Sequence, residues 1–370
     1  MCDKTNLKDT TMDKPNLVFF SVGSLPFTGN TISEKPLGGT ETSVIHLANG
    51  LSKDYNVIVV CSCPSPGLYQ DVIYLDISDI SMLSNIVIDV AIVYKMMPHL
   101  FFANFKETYN PGKLIFWAHD YPMYTDYNPS FIDSAKLFDA IVCVSNDHRN
   151  ALLTRFPLVI DEDKVFAITH GVDTELYKDR LEIKKNKNQF YYSSTPFRGL
   201  EILIELFPKI KEKVPDATLK ICSSLEVYNI KDDTKYKYLY DKCKTIEGID
   251  YVGGLKQKDL AKIAMESELM LYPSIFAETC CLSVLEAQTA GTPVICSDLG
   301  ALKETVHKGC GVTIQGNPYK EKWQNEFIDT VVDVCNNKDS WDKMHMTCLE
   351  QDFSLELLVK NWKKLLSDLK

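Results

Sequence analysis

Apolar and polar positions along this chain fall into blocks. Short continuous apolar runs, as expected of strands buried on both faces, alternate with longer segments in which apolar residues recur at helical spacing. In the first half the runs cover 17–22, 55–61, 72–75, 87–94, 114–117, 140–144 and 165–169. Helical spacing runs through Val44, Ile45, Leu47, Ala48 and Leu51, with Thr40 placed to cap that helix and Glu41 in its first turn. A second helix spans 146–156, stopped by Pro157, whereas 28–37 has loop composition. Residues 177–189 break the rhythm: they are charged, lack an apolar face and read as an interdomain linker, or as a basic run for an anionic partner. Beyond them the alternation resumes. Strands are predicted at 190–193, 218–222, 251–252, 269–272, 293–296 and 310–314, and helices at 199–214, 231–246, 259–267, 284–290, 321–336 and 355–369.

This order predicts an α/β chain of two doubly wound, parallel-sheet Rossmann-like domains in tandem. The divisions are a flexible polar tail (1–14), an N-terminal domain (15–176), the linker (177–189), a C-terminal domain (190–350) and a last segment (351–370). The apolar residues of that last helix (Leu355, Leu357, Leu358, Trp362, Leu365, Leu366) would pack back on the first domain. Ligands of such sheets bind at the carboxyl ends of strands, and two facing sheets would hold one in the cleft between them.

Composition narrows the function classes. Of the 370 residues, 45% are hydrophobic, which suits globular domains, and the formal net charge of −10 argues against a general nucleic-acid binder. Twelve cysteines are present, many inside apolar runs where they serve as small hydrophobes. With no apolar leader in the first residues, the expected setting is reducing and cytoplasmic. No spacing of Cys and His suggests zinc, so no metal is expected, and Asp161-Glu162-Asp163 reads as a solvated turn. No apolar stretch is long enough to span a bilayer, although a peripheral membrane contact stays open.

The chemistry concentrates at 273–304. Between two apolar runs lie Glu278 and Glu286, eight positions apart, with Ser283 and Glu286 matching a capping box. A strand followed by a helix N-terminus offers N–H groups and partial positive charge to a diphosphate. Spacing alone leaves two readings open: carboxylates that flank a ligand, or a helix cap and a solvated acid.

Six segments, in order, decide between them: Gly38-Gly39-Thr40-Glu41, Trp117-Ala118-His119-Asp120, Val144-Ser145-Asn146, Thr169-His170-Gly171-Val172-Asp173, Phe197-Arg198-Gly199-Leu200 and the block from Glu278 to Glu304. Together they resemble glycosyltransferase family 4, retaining enzymes of the GT-B fold. The resemblance implies a metal-independent transferase of the hexosyltransferase class, with no cofactor beyond a nucleotide-sugar co-substrate, a UDP-sugar ahead of a GDP-sugar, and a glycan, protein or lipid acceptor. It implies that Glu286 accepts from the ribose diol and Glu278 from donor-sugar hydroxyls. The backbone at Cys281, Leu282 and Ser283 would face the phosphate or sugar, while Gly38 and Gly39 admit close approach. Arg198, with Ser194, would neutralise the leaving diphosphate, Gly254 and Leu255 would contact the base, and His119 would lie at the donor sugar. His170 reads as structural, and His46 could face either way. One departure stands out: Ser193 occupies the position of a second basic residue, and Lys256 or Lys258 would have to substitute for it. A sugar-nucleotide epimerase and a degenerate binding subunit remain as alternatives. The aromatic segment 98–129 (Phe101, Phe102, Phe105, Tyr121, Met123, Tyr124, Tyr127) would either stack on an acceptor or fill a core.

Overall fold

Val, Ile, Leu and Phe runs buried on both faces need partners on both edges, and parallel pairing supplies them through helical crossovers. The computed structural model describes residues 14–95, 99–122, 130–230 and 235–369. By their packing, the described residues divide into two compact units. One holds the described residues up to Ile32, Gly38–His170 and the chain from Leu355 onward; the other holds Ser33–Leu37 and Gly171–Ser354.

The first unit contains eight strands: β1 (Asn16–Phe20), β2 (Asn56–Cys61), β3 (Gly67–Tyr69), β4 (Val72–Asp76), β5 (Val90–Val93), β6 (Lys113–Trp117), β7 (Ala140–Cys143) and β8 (Val165–Ala167). Their order is β3-β4-β2-β1-β5-β6-β7-β8. All neighbours pair in parallel except β3 with β4, a short antiparallel edge that the apolar pattern does not mark. Leu17 is flanked by Val57 and Val90, so β1 is covered on both edges and its last four residues are fully buried. The helix Leu355–Asp368 belongs to this unit: Trp362 meets Trp117 edge-on at 5.1 Å, Lys363 pairs with Asp54, and Val359 fills the space above Gly50, where a Cβ would come within 2.2 Å of it. Phe102, Phe105 and Tyr121 are buried, and the two phenylalanines lie in the core, which favours the core-filling reading of these aromatics. Met123, Tyr124 and Tyr127 fall outside the described residues, as do most of the predicted tail and residues 231–234.

The second unit has six strands, all parallel: β9 (Asn186–Ser193), β10 (Thr218–Cys222), β11 (Ile249–Tyr251), β12 (Ser267–Tyr272), β13 (Val294–Ser297) and β14 (Gly311–Ile314), in the order β11-β10-β9-β12-β13-β14. Helices Leu200–Lys213, Gln257–Glu266, Leu282–Thr289 and Glu321–Asn336 follow strands as expected, and the helix Lys338–Leu349 is an addition.

Four local expectations change. Strand β9 takes the last four residues of the charged stretch 177–189, because Gln189 and Asn188 are buried beside β12. Thr40 does not cap its helix, which begins at Gly39 with Gly38 at the N-cap and no side-chain cap bond. Ser283 is not a cap either: Cys281 holds that place and Ser283 lies in the first turn. A cap is worth about 1 kcal/mol, and the burial of Cys281 outweighs it. Finally, 28–37 contains a short helix, Thr31–Glu34, and 231–246 retains a single short one, Lys237–Cys243.

Candidate active site

The carboxyl ends of β9 and β12 lie side by side in the second unit, and their exits carry the predicted chemistry. After β9 the chain makes one tight turn, Pro196–Arg198, and enters the next helix through Gly199 at φ 102°. Only glycine fits there: a Cβ would stand 2.1 Å from the carbonyl oxygen of Pro273. That contact locks the β9 exit against the β12 exit and brings Arg198 to Glu278. Arg198 Nη1 donates to both Glu278 oxygens, at 3.1 and 3.3 Å, and the guanidinium lies 4.6 Å from the Phe276 ring centre and 5.6 Å from that of Phe197. Burial is the largest influence and opposes its charge, but Glu278 together with Tyr272, Tyr228 and Cys281 outweighs it and raises its pKa. Its Nε is buried without a hydrogen-bond partner.

Glu278 is 4% exposed and fixed from three directions. Tyr272, the last residue of β12, donates to Oε1 at 2.6 Å, and Arg198 holds the other side. Its carbonyl oxygen accepts from the N–H of Ala301 at 2.7 Å. Ser194 Oγ lies 3.2 Å from the Tyr272 hydroxyl. Thus Ser194, Arg198 and Glu278 form one connected group, with Tyr272 as the member that the pattern of motifs passes over. Its signal in the sequence is only that it ends an apolar run before Pro273.

The helix Leu282–Thr289 starts next to this group. The first N–H with an in-chain acceptor is that of Val284, bonded to the Cys281 carbonyl at 3.1 Å; Leu282 and Ser283 precede it. Glu286 sits half-buried on this helix, and burial lifts its carboxyl to about 7. Its charge also acts on the buried phenols Tyr177 and Tyr191, whose pKa values are raised first by burial and then by Glu286. Three hydroxyls just past or at the ends of β9, β10 and β13 (Thr195, Ser223 and Ser297) are buried with no hydrogen-bond partner. Such unsatisfied groups are expensive unless a ligand or water meets them. No sequence pattern distinguishes them from other serines and threonines.

The remaining predicted residues are not part of this group. Gly254 and Leu255 follow β11, and a Cβ on Gly254 would meet Ser224 at 3.0 Å. Lys256 and Lys258, the candidates to replace the basic residue missing at Ser193, are both exposed. In the first unit, a Cβ on Gly38 would lie 2.8 Å from the Glu41 carboxylate, which is buried, paired with Lys95 at 3.0 Å and bonded to the Leu25 N–H. Gly39 opens the helix that carries Ser43, whose hydroxyl meets His170 Nδ1 at 3.0 Å. His119 follows β6; its ring stacks near parallel on His170 (5.4 Å) and is tilted by 49° against Trp117 (4.5 Å). Burial, then the neighbouring His170 and His148, push its pKa well down, so the ring is neutral at pH 7. Among the described residues no group of three or more His, Cys, Asp or Glu could hold a metal, and Glu162 of the acidic triplet pairs with Arg149 at the surface.

Two parallel-sheet α/β units, one of them carrying the connected group Ser194, Tyr272, Glu278 and Arg198 at its strand ends, are the class these features define. Two family models match adjoining parts of the chain, Glycosyltransferase Family 4 over residues 37–176 and Glycosyl transferases group 1 over 173–345. The chain belongs to these glycosyltransferases and has the GT-B fold. A D-inositol 3-phosphate glycosyltransferase of Corynebacterium glutamicum is 26% identical over 173 residues, 42% of this chain and 41% of that protein. A glycogen synthase of Bacillus anthracis is 25% identical over 245 residues, 56% of this chain and 49% of the enzyme. The aligned part therefore spans less than half the length of these curated relatives. Anabaena HepE, solved with UDP and glucose and also with UDP-glucose, superposes with a TM-score of 0.71 at 15% identity in the first of these complexes, covering 96% of this chain and 100% of that one. No described helix is long and apolar enough to cross a membrane.

Proposed function

We propose that this chain transfers a sugar from a nucleotide-diphosphate sugar, a UDP-sugar ahead of a GDP-sugar, to a glycan, protein or lipid acceptor with retention at the anomeric carbon. The observation that carries the reading is the Arg198–Glu278 pair beside the N-terminus of the helix Leu282–Thr289. As the glycosidic bond breaks, negative charge grows on the diphosphate. A guanidinium and helix N–H groups already oriented toward that region stabilise the transition state more than the ground state. Glu278 offers acceptors for donor-sugar hydroxyls and Glu286 for the ribose diol. The backbone of Cys281 to Ser283 faces the phosphate or sugar, with Ser194 beside it. Gly254 and Leu255 are the candidates for the base, and Gly38, Gly39 and His119 are kept as donor-sugar candidates on the family motifs. The leaving phosphate takes the acceptor proton in a front-side, metal-independent substitution, so no separate base is required. The UDP-bound neighbour supports the choice of nucleotide.

A thermal-shift panel of nucleotide sugars, followed by donor hydrolysis, tests this reading. A UDP-sugar should raise the melting temperature and be hydrolysed slowly, and Glu278→Gln should melt like the parent yet lose at least about 100-fold in rate. Full activity in that variant would remove Glu278 from the site, and conversion of the sugar nucleotide to an isomer without hydrolysis would indicate the epimerase reading.

A further inference from the structure

Glu278 shares its one cationic partner with the ligand. Among the described side chains, only Arg198 and Tyr272 hydrogen-bond its carboxylate. Arg198 is also the group the proposed reaction directs at the diphosphate. If Arg198 were the sole anchor, each donor that drew the guanidinium toward phosphate would loosen the carboxylate meant for the sugar.

Tyr272 removes that conflict. Its side chain is fully buried, its ring packs at 5.7 Å from that of Tyr192, and its place at the end of β12 is held by pairing with β13. A phenol has one proton. Glu278 as a carboxylate can only accept, so the 2.6 Å bond consumes that proton. The 3.2 Å contact with Ser194 must then run the other way, with the serine hydroxyl donating to the phenol oxygen. The result is a directed chain, Ser194 to Tyr272 to Glu278, that reaches Oε1 without using Arg198. The backbone of Glu278 is fixed separately by Ala301 N–H, and Gly300 (φ 62°) packs so closely that a Cβ would sit 2.7 Å from the Glu278 carbonyl oxygen. The only freedom left to Glu278 is in its side chain, which Tyr272 restrains.

We propose that Tyr272 is a positioning residue that holds the Glu278 carboxylate toward the donor sugar while Arg198 engages the diphosphate. This rests on the donor-site reading above, and deepens it by separating a sugar-directed anchor from a phosphate-directed one.

Tyr272→Phe in the full chain tests it, with UDP and UDP-glucose as probes in calorimetric titrations and donor hydrolysis as the rate. The ring is conserved and only the hydroxyl is lost. UDP affinity should stay within about twofold of the parent, while the additional affinity of UDP-glucose over UDP and the kcat for hydrolysis should each fall about tenfold or more. Ser194→Ala leaves the phenol in place but removes its donor; because Ser194 also stands beside the phosphate, UDP itself should weaken, and the preference for UDP-glucose over UDP should fall in addition, by less than in Tyr272→Phe. It serves as the second variant should the phenylalanine protein fold poorly. A parent-like preference for UDP-glucose in both variants would overturn the proposal, as would equal weakening of UDP and UDP-glucose in Tyr272→Phe, the mark of a merely structural role. Failure of the parent chain to bind either probe, or any other nucleotide sugar, would instead overturn the donor-site reading and this proposal with it.

Discussion

Glu286 shows how one side chain can carry both a site and a stability cost. Burial raises its pKa from the usual carboxylate range to about 7, so the folded protein holds this proton more tightly than the unfolded chain does. The sign follows: below the unfolded value there is no penalty, and the cost of the buried charge grows as pH rises through about 7. Glu286→Gln should therefore leave the melting temperature unchanged relative to the parent near pH 4.5 and raise it at pH 8, by at most about 3 kcal/mol in stability. If Glu286 accepts from the ribose diol, UDP-glucose affinity of the parent should also fall as pH drops below about 7 and be flatter in the glutamine variant; titrations at pH 6 and 8 check both. Its spacing from Glu278 and the surrounding motifs made both acids legible in the sequence. Tyr272 was not, because a tyrosine ending an apolar run is indistinguishable from core until its hydroxyl is seen against a carboxylate.

At the scale of elements, Lys185 corrects the reading of a charged stretch as solvated linker. Its ammonium donates to the carbonyls of Ala264 (3.2 Å) and Ala290 (3.0 Å) and to the Thr292 hydroxyl. These lie at the C-terminal ends of helices Gln257–Glu266 and Leu282–Thr289, where a cation suits the helix dipole. The second of these helices carries Glu286 and the N–H groups of the proposed donor site. Lys185→Met would remove this donor from the Ala290 carbonyl, whereas Ala264 keeps the Thr292 hydroxyl and the Ser267 N–H, and should destabilise the chain by about 1–3 kcal/mol in chemical denaturation. Burial lowers the lysine pKa to about 7, so the folded state binds fewer protons than the unfolded chain between about pH 7 and 10.5. The gap between parent and variant should widen as pH rises across that window. Strands and long helices were readable because their periodicity samples burial many times over. The caps at Thr40 and Ser283 were not, since each rests on a single weak local preference that packing overrides.

Across the whole molecule, acid should act first on the first unit. Its described residues include three buried histidines, His148 at about 4, His170 at about 3 and His119 well below its usual value, and the half-buried His46 at about 4, all held neutral by burial. Each folded pKa lies below the unfolded one, so their contribution is complete above about pH 6.5 and is lost as pH falls from there toward 4. Hydrogen exchange, corrected for intrinsic rates, should report loss of protection in Gly39–Leu51 and Asn146–Arg155 over that range before the helix Glu321–Asn336 loses it. The sequence alone determined the two parallel sheets and nearly all their strands, because burial on both faces and helical spacing are written locally in residue order. Tertiary structure alone decided that Lys185 is an anchor and that Tyr272 joins Ser194 to Glu278. Each of these depends on which atoms, distant in the chain, come within hydrogen-bond or van der Waals distance, and residue order does not encode that directly.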